Sequence, residues 1–226
     1  SIASNHNNQY AQLLLANIYI SGTYIPKNIK KGLYYYKLAA DQNDPDAQYA
    51  LGIFYYYGTI VEKDLYKSIY YFTSAANQDH PKAQFFLGYI YITKDFNKSL
   101  KYLLLAAKHE VSEANYILGT IYHEGKYVPL DIHRAIYYYT LASDQNNSDA
   151  QNNLGIIYSS DKYIKHDIMK ALHYFSLASD QNNANAQINI GAIYLMGYYI
   201  PQNINKAIHY ISMAATHNNS DALCIL

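Results

Sequence analysis

An alanine returns along this chain at a nearly fixed interval. It stands at Ala11, Ala47, Ala83, Ala114, Ala150, Ala186 and Ala222, with successive separations of 36, 36, 31, 36, 36 and 36 residues. A period in this range marks a solenoid, in which no unit buries its own apolar face and each must stack on its neighbours. Length then counts repeats rather than domains. Residues 1–226 read as a single array, with repeats starting at 11, 47, 83, 114, 150 and 186 and a truncated seventh from 222.

Within the unit that begins at Ala47, Leu51 and Phe54 follow at i+4 and i+7, the spacing of a buried helical stripe. The same places hold Ala11, Leu15 and Ile18, then Ala83, Leu87 and Ile90, and so on to Ala186, Ile190 and Ile193, without a polar residue. Beside the stripe stands Gly52, repeated as Gly88, Gly119, Gly155 and Gly191, with Ala16 in the first unit. A helical glycine costs about 0.5–1 kcal/mol relative to alanine, so its recurrence predicts the close approach of a second helix.

A loop with Gly22, Gly58, Gly125 or Gly197 and then Pro26, Pro129 or Pro201 ends this helix. Asp64, Asp95, Asp131, Asp167, Asn28 and Asn203 are placed to cap the next one. The second helix repeats Ser68, Tyr71, Phe72, Ala75 and Ala76 on its inner face, and polar connectors such as Asp41-Gln42-Asn43-Asp44-Pro45 lead into the following unit. In the third unit, matching Asp95 to Asp64 puts all five missing residues in the hairpin loop, with both helices expected at full length. Asp161 stands where other loops have glycine, and aspartate tolerates the left-handed conformation such a place requires. The fold class is therefore all-α: a solenoid of six helical hairpins.

The pattern A-Q-x-x-L-G-x-x-Y-x-x-G followed by D-x-x-K-A-x-x-Y-x-x-x-A-A resembles the Sel1-like repeat, a longer-looped relative of the tetratricopeptide repeat. It is carried by Ala47-Gln48, Leu51-Gly52, Tyr55, Gly58, Asp64, Lys67, Tyr71 and Ala75-Ala76, and recurs over residues 11–226. Gly32, Ser68 and Ser99 depart from it where the second helix usually has alanine. The resemblance implies a right-handed superhelix serving as an adaptor or scaffold, with first helices lining a concave face that holds a protein or peptide. Some relatives are credited with hydrolysis of cell-wall-like substrates, but those are disulfide-rich and secreted, and this chain has a single cysteine, Cys224.

An inner surface needs residues flanking the buried stripe. These places form a row: Leu13, Asn17 and Ile20; Tyr49, Ile53 and Tyr56; Phe85, Tyr89 and Ile92; Tyr116, Thr120 and His123; Asn152, Ile156 and Ser159; Ile188, Ala192 and Leu195. The aromatic middle of the row makes Tyr49, Ile53, Tyr56, Phe85, Tyr89, Tyr116, Thr120 and His123 the candidate partner-binding residues, since tyrosine offers a rigid contact surface and a hydroxyl at small entropic cost. Side-by-side packing is the competing reading, and it is preferred outright for Tyr55, Tyr71, Tyr102, Tyr138, Tyr174 and Tyr210. His173 and His209 fall with Tyr34, Tyr70, Lys101 and Tyr137 in an outer row expected to face solvent. His123-Glu124 is the best acid–base candidate, without an evident partner or pocket.

Charge excludes other classes. Seventeen basic residues balance seventeen acidic ones, leaving no field to steer nucleic acid or an anionic membrane. No histidine pair has metal-site spacing and no glycine-rich phosphate loop exists, so neither metal nor cofactor is expected, and no catalytic residue is assigned. One cysteine and the lack of a signal peptide favour the cytoplasm. A polar start and an end partway through a unit suggest a fragment of a longer chain, and open ends make head-to-tail self-association the alternative to partner binding. The 29 tyrosines, with abundant Asn, Ile and Lys, also fit an AT-rich genome.

Overall fold

The computed structural model describes residues 8–216. It holds twelve α-helices and, among the described residues, no strand. They pair as α1 Gln9–Ser21 with α2 Ile29–Asp41, α3 Pro45–Tyr57 with α4 Leu65–Ala76, α5 Pro81–Tyr91 with α6 Phe96–Lys108, α7 Ser112–Glu124 with α8 Ile132–Ser143, α9 Ser148–Ser159 with α10 Ile168–Ser179, and α11 Ala184–Met196 with α12 Ile204–Thr216. These six hairpins form an α/α solenoid-type repeat fold, divided into two compact units that meet in sequence between Val111 and Ser112. Within each unit the second helix of one hairpin packs on the first helix of the next. The truncated seventh repeat at Ala222, like Cys224, lies outside the described residues.

Each hairpin closes by pushing one large side chain of the second helix onto the glycine of the first. A Cβ built on Gly52 would lie 2.5 Å from the Phe72 ring, and Gly119 and Gly155 meet Tyr139 and Phe175 at the same distance. Leu103 and Ile211 fill the place over Gly88 and Gly191. In the first hairpin the small residue has changed sides: Ala16 occupies the glycine place, and Gly32 on α2 clears Ile20, whose Cδ1 would be 2.6 Å from a Cβ there. The two serine departures also have a purpose, since Ser68 and Ser99 donate from Oγ to the Gly52 and Gly88 carbonyls at 3.0 and 2.7 Å.

The far end of every hairpin carries a second recurring contact. Tyr55 stacks on Tyr71 with centroids 5.8 Å apart, and Tyr19–Tyr35, Tyr91–Tyr102, Tyr122–Tyr138, Tyr158–Tyr174 and Tyr194–Tyr210 do the same. Over the first ring of each pair lies Lys31, Lys67, Lys98, Arg134, Lys170 or Lys206, 4.2–5.4 Å from its centroid. The lysine of the D-x-x-K motif is thus a cation–π lid on a tyrosine pair. Tyr34, Tyr70, Tyr137, His173 and His209 form the exposed outer row, touching the second tyrosine of the pair edge-on.

The predicted caps form. Asn28, Asp64, Asp95, Asp131 and Asp167 each accept the amide proton three residues on, as does Asn203 from Lys206. Two loop expectations need correction. In the short third repeat α5 has 11 residues where α1, α3, α7 and α11 have 13, so the deletion removes part of its last turn as well as loop. The other correction concerns Asp161, which is not in the left-handed region taken by Gly22, Gly58, Gly125 and Gly197. Instead Ser160 is extended, and the Asp161 carboxylate accepts from the His166 backbone amide and pairs with its Nδ1, both at 2.9 Å.

A buried polar ladder joins repeats to their connectors. Gln48 is fully packed beside Ala47, and its Nε2 donates to the Ala40 carbonyl and Asn43 Oδ1 of the preceding connector. Its Oε1 accepts from Gln78 at 2.8 Å, and Gln12 with Gln42 and Gln151 with Gln181 repeat the amide pair. The third repeat breaks it: His109 replaces the connector glutamine and leaves Gln84 Oε1 without a partner. Two neighbours deviate as well. Glu110 occupies the left-handed place that Asn43, Asp79, Asn146 and Asn182 fill elsewhere, and Val111 replaces the residue that caps the next helix.

Two substitutions test these contacts. Gly→Ala at an exposed helix site stabilises by about 0.5–1 kcal/mol, whereas Gly52→Ala should lower stability by about 1–3 kcal/mol through overpacking against Phe72. A urea midpoint that stays or rises would rule that contact out. Glu110→Asn should raise stability by roughly 0.5–1 kcal/mol in the same titration, because asparagine carries less of the left-handed penalty.

Candidate functional site

First helices of neighbouring repeats lie side by side within each unit, α3 with α5 in the first, and α7 with α9 and α9 with α11 in the second. Their flanking rows face a pocket that recurs between repeats and is built each time from equivalent places. The row residues of one hairpin form one wall and the next first helix and its loop form the other; in the second unit the large residue seated on the glycine lies beneath. Among the described residues such pockets stand between the second and third repeats, between the fourth and fifth, and between the fifth and sixth.

In the first unit the pocket is about 420 Å³, lined by Tyr56, Leu65, Tyr89, Ile90, the short-loop residues Ile92 and Thr93, and the lysines Lys63 and Lys94. Tyr89 is half exposed, while Tyr56 leans on Phe86 edge-on at 5.5 Å, and burial raises its hydroxyl pKa above the usual phenol value. Tyr49 and Ile53 pack against the Phe72 cluster, and Phe85 meets Phe86 and Tyr89. Of the five candidates in this unit, Tyr56 and Tyr89 line the pocket. Tyr49, Ile53 and Phe85 support its walls.

Tyr49 also stacks on His80 at 4.6 Å. His80 caps α5 with a nitrogen rather than an oxygen: Nδ1 accepts from the Ala83 amide at 3.2 Å while Nε2 faces Asp46 at 3.2 Å. That geometry requires a neutral imidazole with its proton on Nε2, and burial lowers the pKa despite Asp46.

The second unit brings Tyr116, Thr120 and His123 together, joined by Glu124, Tyr139, Asn153, Lys162 and Tyr163 around about 560 Å³. Tyr139 donates its hydroxyl to Thr120 Oγ1 at 3.2 Å and lies 3.5 Å from His123 Nδ1. Burial pushes the Tyr139 pKa up to about 12, so it remains a neutral hydrogen-bonding group. Burial, with Lys162 nearby, also holds His123 below its ordinary value. His123 therefore enters a network of uncharged donors and acceptors, with Glu124 and Lys162 balancing each other on the lining.

One repeat further on, the same places give a different surface. Ser159, Phe175, Asn189, Tyr198 and Tyr199 stand where His123, Tyr139, Asn153, Lys162 and Tyr163 stood, and Ile168, Ala192, Ile193 and Met196 complete an apolar pocket of about 220 Å³. The switch is coordinated across two helices. Where the seated residue is tyrosine, its hydroxyl meets a polar row residue, Tyr36 with Asn17 and Tyr139 with Thr120. Where it is Phe72 or Phe175, the row holds Ile53 or Ile156. Tyr139, Asn153, Lys162 and Tyr163 escaped the row-by-row reading, although the paired alternation of Tyr/polar and Phe/Ile is present in the sequence.

The fold defines a class, the helical-hairpin repeat proteins. The Sel1 repeat model matches residues 9–44, 45–80, 81–110, 112–147, 148–183 and 184–219, and the chain belongs to the Sel1 repeat family. Sel1 repeat proteins are in general scaffolds for protein–protein interaction and typically non-catalytic. The chain is 32% identical to a Sel1 repeat protein from Oxalobacter formigenes, across 94% of this chain and 89% of that one, with a TM-score of 0.83. It is 25% identical to c5321, a protective antigen of uropathogenic Escherichia coli displaying an SLR fold, across 96% of this chain and 56% of that one, TM-score 0.68. A putative Sel1 repeat protein from Klebsiella pneumoniae shares the fold at 23% identity, 84% and 95% coverage and a TM-score of 0.55. No curated protein matches the chain. Among the described residues no helix is long and apolar enough to cross a membrane, and no group of three His, Cys, Asp or Glu residues is placed to hold a metal ion.

The His80 cap gives a pH dependence. Its folded pKa lies below the unfolded value of 6.5, so its contribution is complete above about pH 6.5 and is lost as pH falls below it. His123 shifts in the same direction. The thermal midpoint should be flat from pH 8 to 7 and decline below 6.5, and His80→Asn, which keeps a capping acceptor without titrating, should reduce the decline. An identical acid slope in the variant would remove His80 as a cause.

Proposed function

We propose that this protein is a non-enzymatic adaptor that holds a peptide or protein segment along the row formed by its first helices, with Tyr49, Ile53, Tyr56, Phe85, Tyr89, Tyr116, Thr120 and His123 as the contact residues or their immediate support. The observation that carries this reading is the recurring inter-repeat pocket: its frame of alanine, leucine or isoleucine, and glycine persists while its lining changes from repeat to repeat. A constant frame with a changing lining suits recognition of an extended partner, one pocket at a time. Half-exposed tyrosines at the rims supply contact area with little rotamer entropy to lose. The role fits the general scaffold function of the family and a cytoplasmic setting.

Affinity capture from the native host followed by mass spectrometry, comparing the wild type with Tyr56→Ala/Tyr89→Ala, tests the site. The partner should be lost, or its recovery reduced at least tenfold, while circular dichroism shows helicity retained. Undiminished recovery by the folded variant would place recognition elsewhere.

A further inference from the structure

Resting on that reading, we infer that the second unit recognises a two-part signature in its partner: an uncharged hydrogen-bonding side chain, of the carboxamide or hydroxyl class, seated between the fourth and fifth repeats, and an apolar side chain seated between the fifth and sixth. The two pockets are the same structural place one repeat apart, which makes the difference in lining a difference in what each accepts.

The first pocket is walled by Tyr116, Thr120, His123, Tyr139 and Asn153. Its inner groups are hydroxyls, an amide and an imidazole, able both to donate and to accept. Its lining carries one acid, Glu124, and one base, Lys162, the latter 4.6 Å from the Tyr163 ring centroid. A ligand charge of either sign would meet one like charge, and an apolar group would cut off from water the hydrogen-bonding capacity that these groups keep beyond the Tyr139–Thr120 and Thr120–Tyr116 bonds. A carboxamide or hydroxyl satisfies them without either cost.

The second pocket replaces the hydroxyl of Tyr139 by the bare ring of Phe175 and surrounds it with Ile168, Ala192, Ile193 and Met196. Its one amide, Asn189, already donates to Asn152 Oδ1 at 3.0 Å. That leaves an apolar floor suited to leucine, methionine or phenylalanine. Adjacent helices pack about 8–10 Å apart, and an extended chain advances about 3.3 Å per residue, so the two ligand side chains should stand roughly three residues apart.

The fold itself supplies the variant that tests this. Thr120→Ile with Tyr139→Phe installs in the fourth repeat the Ile/Phe pair of the second and fifth repeats, Ile53 with Phe72 and Ile156 with Phe175. The probe is a library of capped eight-residue peptides with Asn, Gln, Ser, Leu, Met, Phe, Glu or Lys at two positions separated by two to four residues, captured by wild type and variant and read by mass spectrometry. Wild type should enrich a carboxamide or hydroxyl paired with an apolar residue. The variant should enrich two apolar residues, the ratio at the first position moving about tenfold. Tyr139→Phe alone should move it the same way by less, and serves if the double variant folds poorly. Unchanged preferences in a variant that still binds, or enrichment of Glu or Lys at the first position by wild type, would overturn the inference while leaving the binding face intact. Capture of no peptide by wild type would overturn the binding face as well.

Discussion

The contact between one glycine and one large side chain sets everything else in this molecule. Because Gly52, Gly88, Gly119, Gly155 and Gly191 offer no Cβ, the second helix approaches until a ring or branched chain rests on the first helix backbone. That approach buries the leucine and alanine stripe and aligns the tyrosine pairs at the loop end. It also places the far tip of the seated residue at the flanking row. A methyl group at the contact would disturb all three.

The same residue therefore belongs to the core and to the lining of a pocket. Tyr139 is buried, yet its hydroxyl is the inner polar group of a pocket. A change from tyrosine to phenylalanine there is volume-conserving and leaves the hairpin seated, but it removes a donor and acceptor from the pocket floor. The row residue changes with it, Asn17 and Thr120 against Ile53 and Ile156, since a polar group facing a bare ring loses one of its hydrogen bonds. Chemistry at the surface is tuned from beneath, through pairs of residues far apart in sequence.

Much of this was legible in the period. The glycine place, the Asp and Asn caps and the six hairpins follow from spacing alone, because local geometry fixes them. The eight candidate residues divided: Tyr56, Tyr89, Tyr116, Thr120 and His123 line pockets, whereas Tyr49, Ile53 and Phe85 pack behind them. Reading one helix at a time could not separate these groups, since the pocket is closed by residues of the next repeat such as Asn153 and Lys162. The buried glutamines were hidden for a different reason. Gln48 looks like an ordinary surface residue until its connector partners, 5 and 30 residues away, are brought to it.

The hairpin loops carry a last consequence. In five repeats the cap residue's amide donates to the carbonyl of the stacked tyrosine nine residues earlier, as Asp64 does to Tyr55, and in the third repeat Asp95 makes the same bond to Tyr91 across four. The helix pair is pinned at one point regardless of how much chain lies between. Insertions and deletions are thereby absorbed without unpinning the hairpin, and what they alter is the rim: Ile92, Thr93 and Lys94 stand beside one pocket where Tyr198 and Tyr199 stand beside another. The lining of these pockets is free to change by loop length as well as by substitution.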